Sequence, residues 1–329
     1  MRRFFEITVK IIIAFVFSAW VISALTVMVG ADNEDADGAD IAEARRVIRD
    51  GFYSFKESID ISSYGILPEE LGGLFSSVIK DDPYLFFVDG QMSYSYKPGG
   101  FVVSLKPKYE MKGQEVFEAW DECRAYIRQV ASEAMAFDGE MERALFLHDY
   151  ICQSFVYDTE LKSDNIYTMI KSGRATCEGY TDMYMAILRE CGIESHFVAS
   201  DTISHIWNYV KIDGEWYHVD LTWDDSDDGV RYRHFLLSDS AALERGHRDW
   251  YSVIDVSCDS EVYLDAVTSA YHVGYFCGDA DHDGRVGLGD IIALKMNFEF
   301  CDTCADINGD LLVNELDVEA LRHFILREK

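Results

Sequence analysis

Apolar residues recur at helical spacing from Ile41 onward (Ile41, Ala44, Val47, Ile48), so the chain to about Leu71 reads as helix. The pattern then changes. From Tyr84 to Leu105 it is rich in β-forming residues, and breaks at Asp89-Gly90 and Gly99-Gly100 predict hairpin strands. Helical periodicity returns over residues 114–136, where Val116, Phe117, Trp120, Cys123, Ile127 and Val130 recur, and again over 139–155. Over 177–191, Tyr180, Met183, Tyr184, Ile187, Leu188 and Cys191 fall on one face, and Gly192 supplies the C′ stop. Strands are predicted at 195–200, 205–212 and 215–223. Asp213-Gly214, between the last two, is the dipeptide that a two-residue type I′ turn requires. Helices followed by antiparallel strands give an α+β fold, not a doubly wound parallel sheet.

The start of the 177–191 helix carries a candidate nucleophile. A thiol at a helix N-terminus meets the positive end of the helix dipole and unpaired backbone donors. Such surroundings bring a cysteine pKa from about 8.5 into the range of about 3.5 to 7.5. Cys177, in Gly173-Arg-Ala-Thr-Cys-Glu-Gly179, stands at that position; a buried helix-entry cysteine is the alternative reading. The hairpin shifts the balance. A two-residue turn pairs Ile212 with Glu215 and Lys211 with Trp216, and further out sets Trp207 opposite Asp220 and His205 opposite Thr222. His205 and Asp220 then share one face as diagonal neighbours, with Cα atoms about 7–8 Å apart. An imidazole and a carboxylate can meet across that gap. His218 projects from the same face, as a rival base or as part of a His205–His218–Asp220 metal triad. His148-Asp149 is another adjacent pair, but helix neighbours diverge by about 100° and this one reads as packing or surface.

Charge and termini narrow the partners. The formal net charge of −30 repels nucleic-acid backbones and anionic membranes, leaving cations, basic partners and neutral substrates. At the N-terminus, Arg2, Arg3 and Lys10 precede an apolar run from Ile11 to Val29. This reads as an export signal cleaved after Ala31, with an uncleaved anchor as the alternative. The acidic stretch 32–40 reads as a solvated linker. Of the eight cysteines, one in catalysis leaves an odd number, which favours mostly free thiols.

The run Gly173 to Tyr180 (GRATCEGY), then His205-Ile-Trp-Asn208, then Gly214-Glu-Trp-Tyr-His-Val-Asp220 with Thr222-Trp223, resembles the core of the transglutaminase-like superfamily. Pro83-Tyr-Leu-Phe-Phe87, and His148-Asp-Tyr150 followed by Tyr157-Asp158, extend the likeness to bacterial members, over about 41–255. The resemblance implies a papain-like fold, with Cys177, His205 and Asp220 as catalytic triad and no cofactor in catalysis. It implies attack of the thiolate on a peptide or glutamine amide, with Tyr167 as a candidate second oxyanion donor. It leaves peptidase, acyltransferase and catalytically silent binding module open as readings.

Two acidic segments repeat near the C-terminus. Calcium loops place oxygen ligands at positions 1, 3, 5, 7, 9 and 12, with glycine at 6. Asp279, Asp281, Asp283 and Asp290 occupy 1, 3, 5 and 12 of the first, with Gly284 at 6 and the Arg285 carbonyl at 7. Asp306, Asn308, Asp310, Asn314 and Asp317 stand at 1, 3, 5, 9 and 12 of the second, with the Leu312 carbonyl at 7 and Leu311 replacing the glycine. Aspartate at position 12 and the duplicated loop-then-helix plan resemble a type I dockerin, a small all-α calcium-binding module. That resemblance implies Ca²⁺ as ligand, a cohesin domain of a scaffoldin as partner, and a secreted, cell-surface or cellulosome setting. Cys277 stands within reach of Cys301 or Cys304 for a disulfide. The expected organisation is signal or anchor 1–31, linker 32–40, transglutaminase-like domain 41–272 and dockerin-like domain 273–329.

Overall fold

The computed structural model describes residues 7–11, 34–97, 100–137, 139–225, 230–263 and Val318. The first helix, α1 (Glu34–Tyr53), buries Ala44, Ile48 and Phe52 along one stripe, as its apolar spacing predicts. It begins earlier than expected: residues 34–40, read as linker, are helical, and acidic side chains suit a first turn. It also ends earlier. Phe55 takes a left-handed backbone (φ 49°), Ile59–Asp60 forms the short strand β2, and a second helix starts only at Pro68. Proline fits the first helical position because its missing N–H has no intrahelical role there. This second helix, α2 (Pro68–Lys80), buries Leu71, Leu74, Phe75 and Val78.

A 3₁₀ turn (Pro83–Leu85) leads into β3 (Val88–Tyr96) and β4 (Val102–Tyr109), which pair antiparallel; Asp89-Gly90, expected as a break between strands, lies inside β3 and marks only a register shift between Val88 and Met92. The sheet order is β1-β3-β4-β2, with β1 (Ile7–Ile11) antiparallel along β3. Cleavage after Ala31, the expectation for an exported chain, would remove β1 and leave β3 as an edge. These elements enclose a first core around Phe52, Phe75, Phe87 and Leu105.

Helix α3 (Gln114–Ala134) links the two cores. Val116 and Trp120 face the first; Cys123, Ile127 and Val130 face the second. Helix α4 (Glu140–Ser154), strand β5 (Val156–Tyr157), helix α5 (Ile166–Ser172) and strand β6 (Arg174–Ala175) follow, with β5 and β6 parallel. Then comes α6 (Cys177–Glu190), buried on nearly every side from Cys177 to Leu188 and not on one face alone. The reason is its position, between α3, α4 and α5 on one side and the sheet β7 (Ser195–Ser200), β8 (His205–Ile212), β9 (Glu215–Val219) on the other. The hairpin register is the predicted one, from Ile212 opposite Glu215 to Asn208 opposite Val219. Asp213 and Gly214 both have positive φ (52° and 88°), as a type I′ turn demands. Beyond Val219 the chain leaves the strand into the short helix α7 (Leu221–Asp224), so the expected pairing to Thr222 does not form. Helix α8 (Asp239–Glu244) lies near β9. The architecture is α+β, with antiparallel sheets, the short parallel β5–β6 pair and helices packed against them.

Among the described residues, no helix is long and apolar enough to cross a membrane. The calcium-loop residues, the dockerin-like helices apart from Val318, and Cys277, Cys301 and Cys304 lie outside the described residues. Cys123, Cys152, Cys177, Cys191 and Cys258 are all buried free thiols.

Candidate active site

Cys177 is the first residue of α6. Thr176 precedes it in extended conformation (φ −84°, ψ 177°) and its side chain does not cap the helix. The Thr176 hydroxyl is buried without a hydrogen-bond partner among the described residues. The amides of the first turn therefore lack the side-chain acceptor that usually occupies them, and stay available to an incoming oxyanion. The loop before Cys177 is tied down from behind. The Asp158 carboxylate accepts from the amides of Glu160, Lys162 and Ser163 at 2.9–3.0 Å, and the Ser163 carbonyl accepts from Thr176 N–H at 2.8 Å. These amides hold the Asp158 carboxyl below the usual range. Gly179 lets this loop pass close, since a Cβ there would meet the Ser163 carbonyl at 3.0 Å.

His205 opens β8 and Asp220 caps α7, and Nε2 of His205 lies 2.7 Å from Oδ2 of Asp220. The Cys177 sulfur lies close enough to the same imidazole to help raise its pKa. Asp220 Oδ1 accepts from Trp223 N–H at 3.2 Å, so the helix start fixes the carboxylate. The indole of Trp223 stacks on His205 with ring centroids 4.8 Å apart and planes within 6°. Cysteine, imidazole and carboxylate thus form one continuous chain at a helix N-terminus.

Residues 124–221 match the family model of the transglutaminase-like superfamily. They contain all three members of that chain. This region is similar to a transglutaminase-like domain. Solved structures similar to the protein include that of a TGase, with 14% identity, 54% of this chain and 50% of that one covered, and a TM-score of 0.32. Another is described as a candidate cysteine protease from Cytophaga hutchinsonii, with 13% identity, 40% and 47% covered, and a TM-score of 0.28. The chain spans about half the length of these two structures. No curated protein sequence matches it.

Within this region, electrostatics favour a charged His205–Asp220 pair. Burial alone would lower the His205 pKa, but the Asp220 charge, its hydrogen bond and the Cys177 sulfur together raise it to about 10. Asp220 is buried, yet His205 and His247 hold its carboxyl far below the usual range. His247 is a site residue that sequence reasoning missed. Its Nε2 lies 2.9 Å from the same Oδ2 of Asp220, and its own Nδ1 is buried without a partner among the described residues. Nε2 is thus the nitrogen that reaches Asp220. His247 is therefore a positioning residue for Asp220.

His218 shares the hairpin face with His205 and Asp220, as expected, but makes no triad with them. Trp207 stands between, donating its Nε1–H to Nδ1 of His218 at 2.9 Å, while Nε2 of His218 meets Asp239 at 2.8 Å. The His205–His218–Asp220 metal set is not formed. The three-member clusters among the described residues are His205–Asp220–His247 and His218–Asp239–Cys258. His148 and Asp149 correct a second expectation. Their side chains do meet, at 3.0 Å, because the carboxylate folds back to the ring edge, and His148 also reaches Asp224 at 3.3 Å. This buried network lies behind the site, as packing.

Tyr167 stacks on Phe86 (5.5 Å, 16°) and packs on the core, so it serves the fold. Tyr157 is better placed as a hydroxyl donor. The β5–β6 pairing sets it beside Ala175, two residues before Cys177, and burial together with the nearby Cys177 raises its pKa. Its Tyr-Asp motif was visible in the sequence; the parallel pairing that delivers it was not.

Proposed function

We propose that this protein is a cysteine-nucleophile enzyme acting on protein or peptide amides through a thioester. The observation that carries this reading is the continuous Cys177–His205–Asp220 chain at an uncapped helix start. The sulfur attacks the amide carbonyl carbon, forming a C–S bond and a tetrahedral oxyanion. The Cys177 backbone N–H and the Tyr157 hydroxyl are the donors we assign to that oxygen. His205 gives its proton to the departing nitrogen as the C–N bond breaks, releasing amine or ammonia and leaving a thioester. Water or a primary amine then attacks the thioester carbonyl, His205 takes the attacker's proton, and the sulfur leaves as thiolate. Asp220, held by His247 and Trp223, keeps the imidazole oriented throughout. The intact set speaks against a silent binding module, which would have no use for all three. The test is mass spectrometry of a glutamine-containing protein mixture incubated with the enzyme, with and without a primary amine. Amine adducts or deamidated glutamines mark side-chain acyl transfer, new peptide termini mark hydrolysis, and no product in any arm overturns the proposal.

From the sequence pattern alone, we also propose that the chain is exported and docks on a cohesin-bearing scaffold through its C-terminal repeat. The donor set there is all oxygen, which suits Ca²⁺. Asp279, Asp281, Asp283, the Arg285 carbonyl and Asp290 would hold one ion; Asp306, Asn308, Asp310, the Leu312 carbonyl, Asn314 and Asp317 would hold the other. When bound, calcium would neutralise the clustered carboxylates and order the module. Asp279→Ala is expected to weaken calcium binding more than Asp306→Ala, because Leu311 strains the second loop where Gly284 relieves the first. Calorimetric titration of both variants checks this, and the reverse order contradicts it.

A further inference from the structure

A second site lies on the other flank of α6. Glu178 and Asp182, one helical turn apart, line a cavity of about 380 Å³ closed on its far side by β3, β4 and the 3₁₀ turn. Its position is the seam between the two cores, whereas Cys177 packs against Phe197, Ala199 and Ile206 of the opposite sheet. Six carboxyl groups line this cavity: Asp82, Asp89, Glu110, Asp164, Glu178 and Asp182. Lys108 is the one basic side chain among the lining residues, and it is already paired with Asp89. Asp82 is satisfied by the Tyr53 hydroxyl and the Tyr84 amide. The remaining four grade from an exposed rim, Glu110 and Asp164, through half-buried Glu178, to Asp182 at the floor.

Asp182 is the decisive residue. It is only 8% exposed, and its Oδ1 is buried with no hydrogen-bond partner among the described residues. Burying a carboxyl oxygen without a hydrogen-bond partner is costly, so chains rarely keep one without a partner in some state. The nearby cations are engaged elsewhere. Arg189 forks onto Asp81 and the Ser195 carbonyl, and Lys80 reaches the Tyr251 hydroxyl. Burial together with Glu178, Asp164 and Asp82 pushes the Asp182 carboxyl well up, and burial raises Glu178 to about 7 against the pull of the Lys80 charge. Lys80 and Arg189 act on Glu178 and Asp182 only through space, and no described residue hydrogen-bonds the buried Asp182 Oδ1.

We infer that this cavity binds an organic cation, an ammonium or guanidinium group on an alkyl chain, with Asp182 and Glu178 as its main acceptors. A bare metal ion fits less well. Neither of the clusters that bring three ligand atoms within 4.8 Å of one another includes a cavity carboxylate. The volume falls in the range of about 300–1,000 Å³ usual for small-molecule sites, and several N–H donors on one cation can bridge acids too far apart to share an ion. The cation could belong to a free polyamine or to a lysine or arginine side chain of a bound polypeptide.

The experiment is isothermal titration of the full chain carrying Cys177→Ala, so that no amine is consumed at the thiol. The probes are putrescine, spermidine and N-acetyl-arginine amide, with N-acetyl-leucine amide and CaCl₂ as controls. Saturable binding of a cationic probe is expected, weakened at least tenfold by Asp182→Asn and also weakened by Glu178→Gln, with no binding of the leucine amide. Binding of the diamines alone assigns a free polyamine; binding of the arginine amide alone assigns a polypeptide side chain. Asp182→Asn is also expected to raise Tm at pH 8 without ligand, because it removes an unpaired buried acid. No binding by any organic cation overturns the proposal, as does binding that both variants leave unchanged, or a calcium response that Asp182→Asn alone abolishes.

Discussion

The hairpin β8–β9 carries two histidines on one face, and each meets an aspartate with a cysteine close by. His205 joins Asp220 and Cys177; His218 joins Asp239, with Cys258 in the same cluster. Both rings are buried, yet their pKa values move in opposite directions, His205 up to about 10 and His218 down. The second partner of each ring explains the split. Beside His205 lies the Cys177 sulfur, so a protonated ring finds acceptors in both Asp220 and Cys177. On His218, Nδ1 faces the Trp207 N–H, so a second proton would set donor against donor. The same contact disfavours a metal on Nε2 of His218, which would leave that ring no proton to carry. The cysteines differ too. Cys177 sits at a helix start, whereas burial and Asp239 push the Cys258 thiol well up. Residue types alone do not make a reactive set; the partners beyond them do.

The largest expected effect follows directly. His205→Ala should lower the rate by about 10²–10⁴, the usual cost of losing a positioned acid–base group. His218→Ala should leave the rate within about tenfold, losing stability instead. Steady-state kinetics beside urea melts separate the two. Equal kinetic losses would mean that the sets are not distinct.

His247→Gln should act less strongly and in a diagnostic way. Without that donor the Asp220 charge is less shared, so the His205 imidazolium is held more tightly. The basic limb of the pH–rate profile should then move to higher pH. A merely structural loss would lower the rate at every pH without moving the limb.

A smaller effect concerns stability against pH. The folded pKa of His205 lies above its unfolded value of about 6.5, so its contribution is complete below that pH and fades as pH rises through about 10. Asp220 is depressed, so its contribution is complete above about pH 4 and is lost as acid protonates it. The destabilisation by His205→Ala should be greatest near pH 6 and shrink toward pH 10. Denaturant melts at pH 6, 8 and 10 measure it; a penalty that grows with pH would reverse the sign.

Much of this site is legible in the sequence because it rests on local rules. Asp213-Gly214 sets the turn, the turn sets the register, and the register brings Asp220 to His205. Gly192 marks the end of α6, and the helix start marks Cys177. What escapes the sequence comes from contacts that no periodicity encodes. His247 reaches Asp220 from a loop beyond α8, Asp239 claims His218 from the start of α8, and the β5–β6 pairing delivers Tyr157. The helix expected to run to Leu71 stops because Phe55 and Gly65 turn the chain with positive φ before Pro68 restarts it. The acidic cavity is hidden for the same reason, since its walls come from β3, β4 and α6.

The most direct measurement is site-resolved thiol labelling. The full chain is treated with limiting iodoacetamide near pH 6 and the adducts are mapped by mass spectrometry, in wild type and in His205→Ala. Cys177 should take the label first, and the substitution should remove that preference. Preferential labelling of Cys258 or any other cysteine, or Cys177 labelling that persists unchanged without His205, would contradict the Cys177–His205 pair.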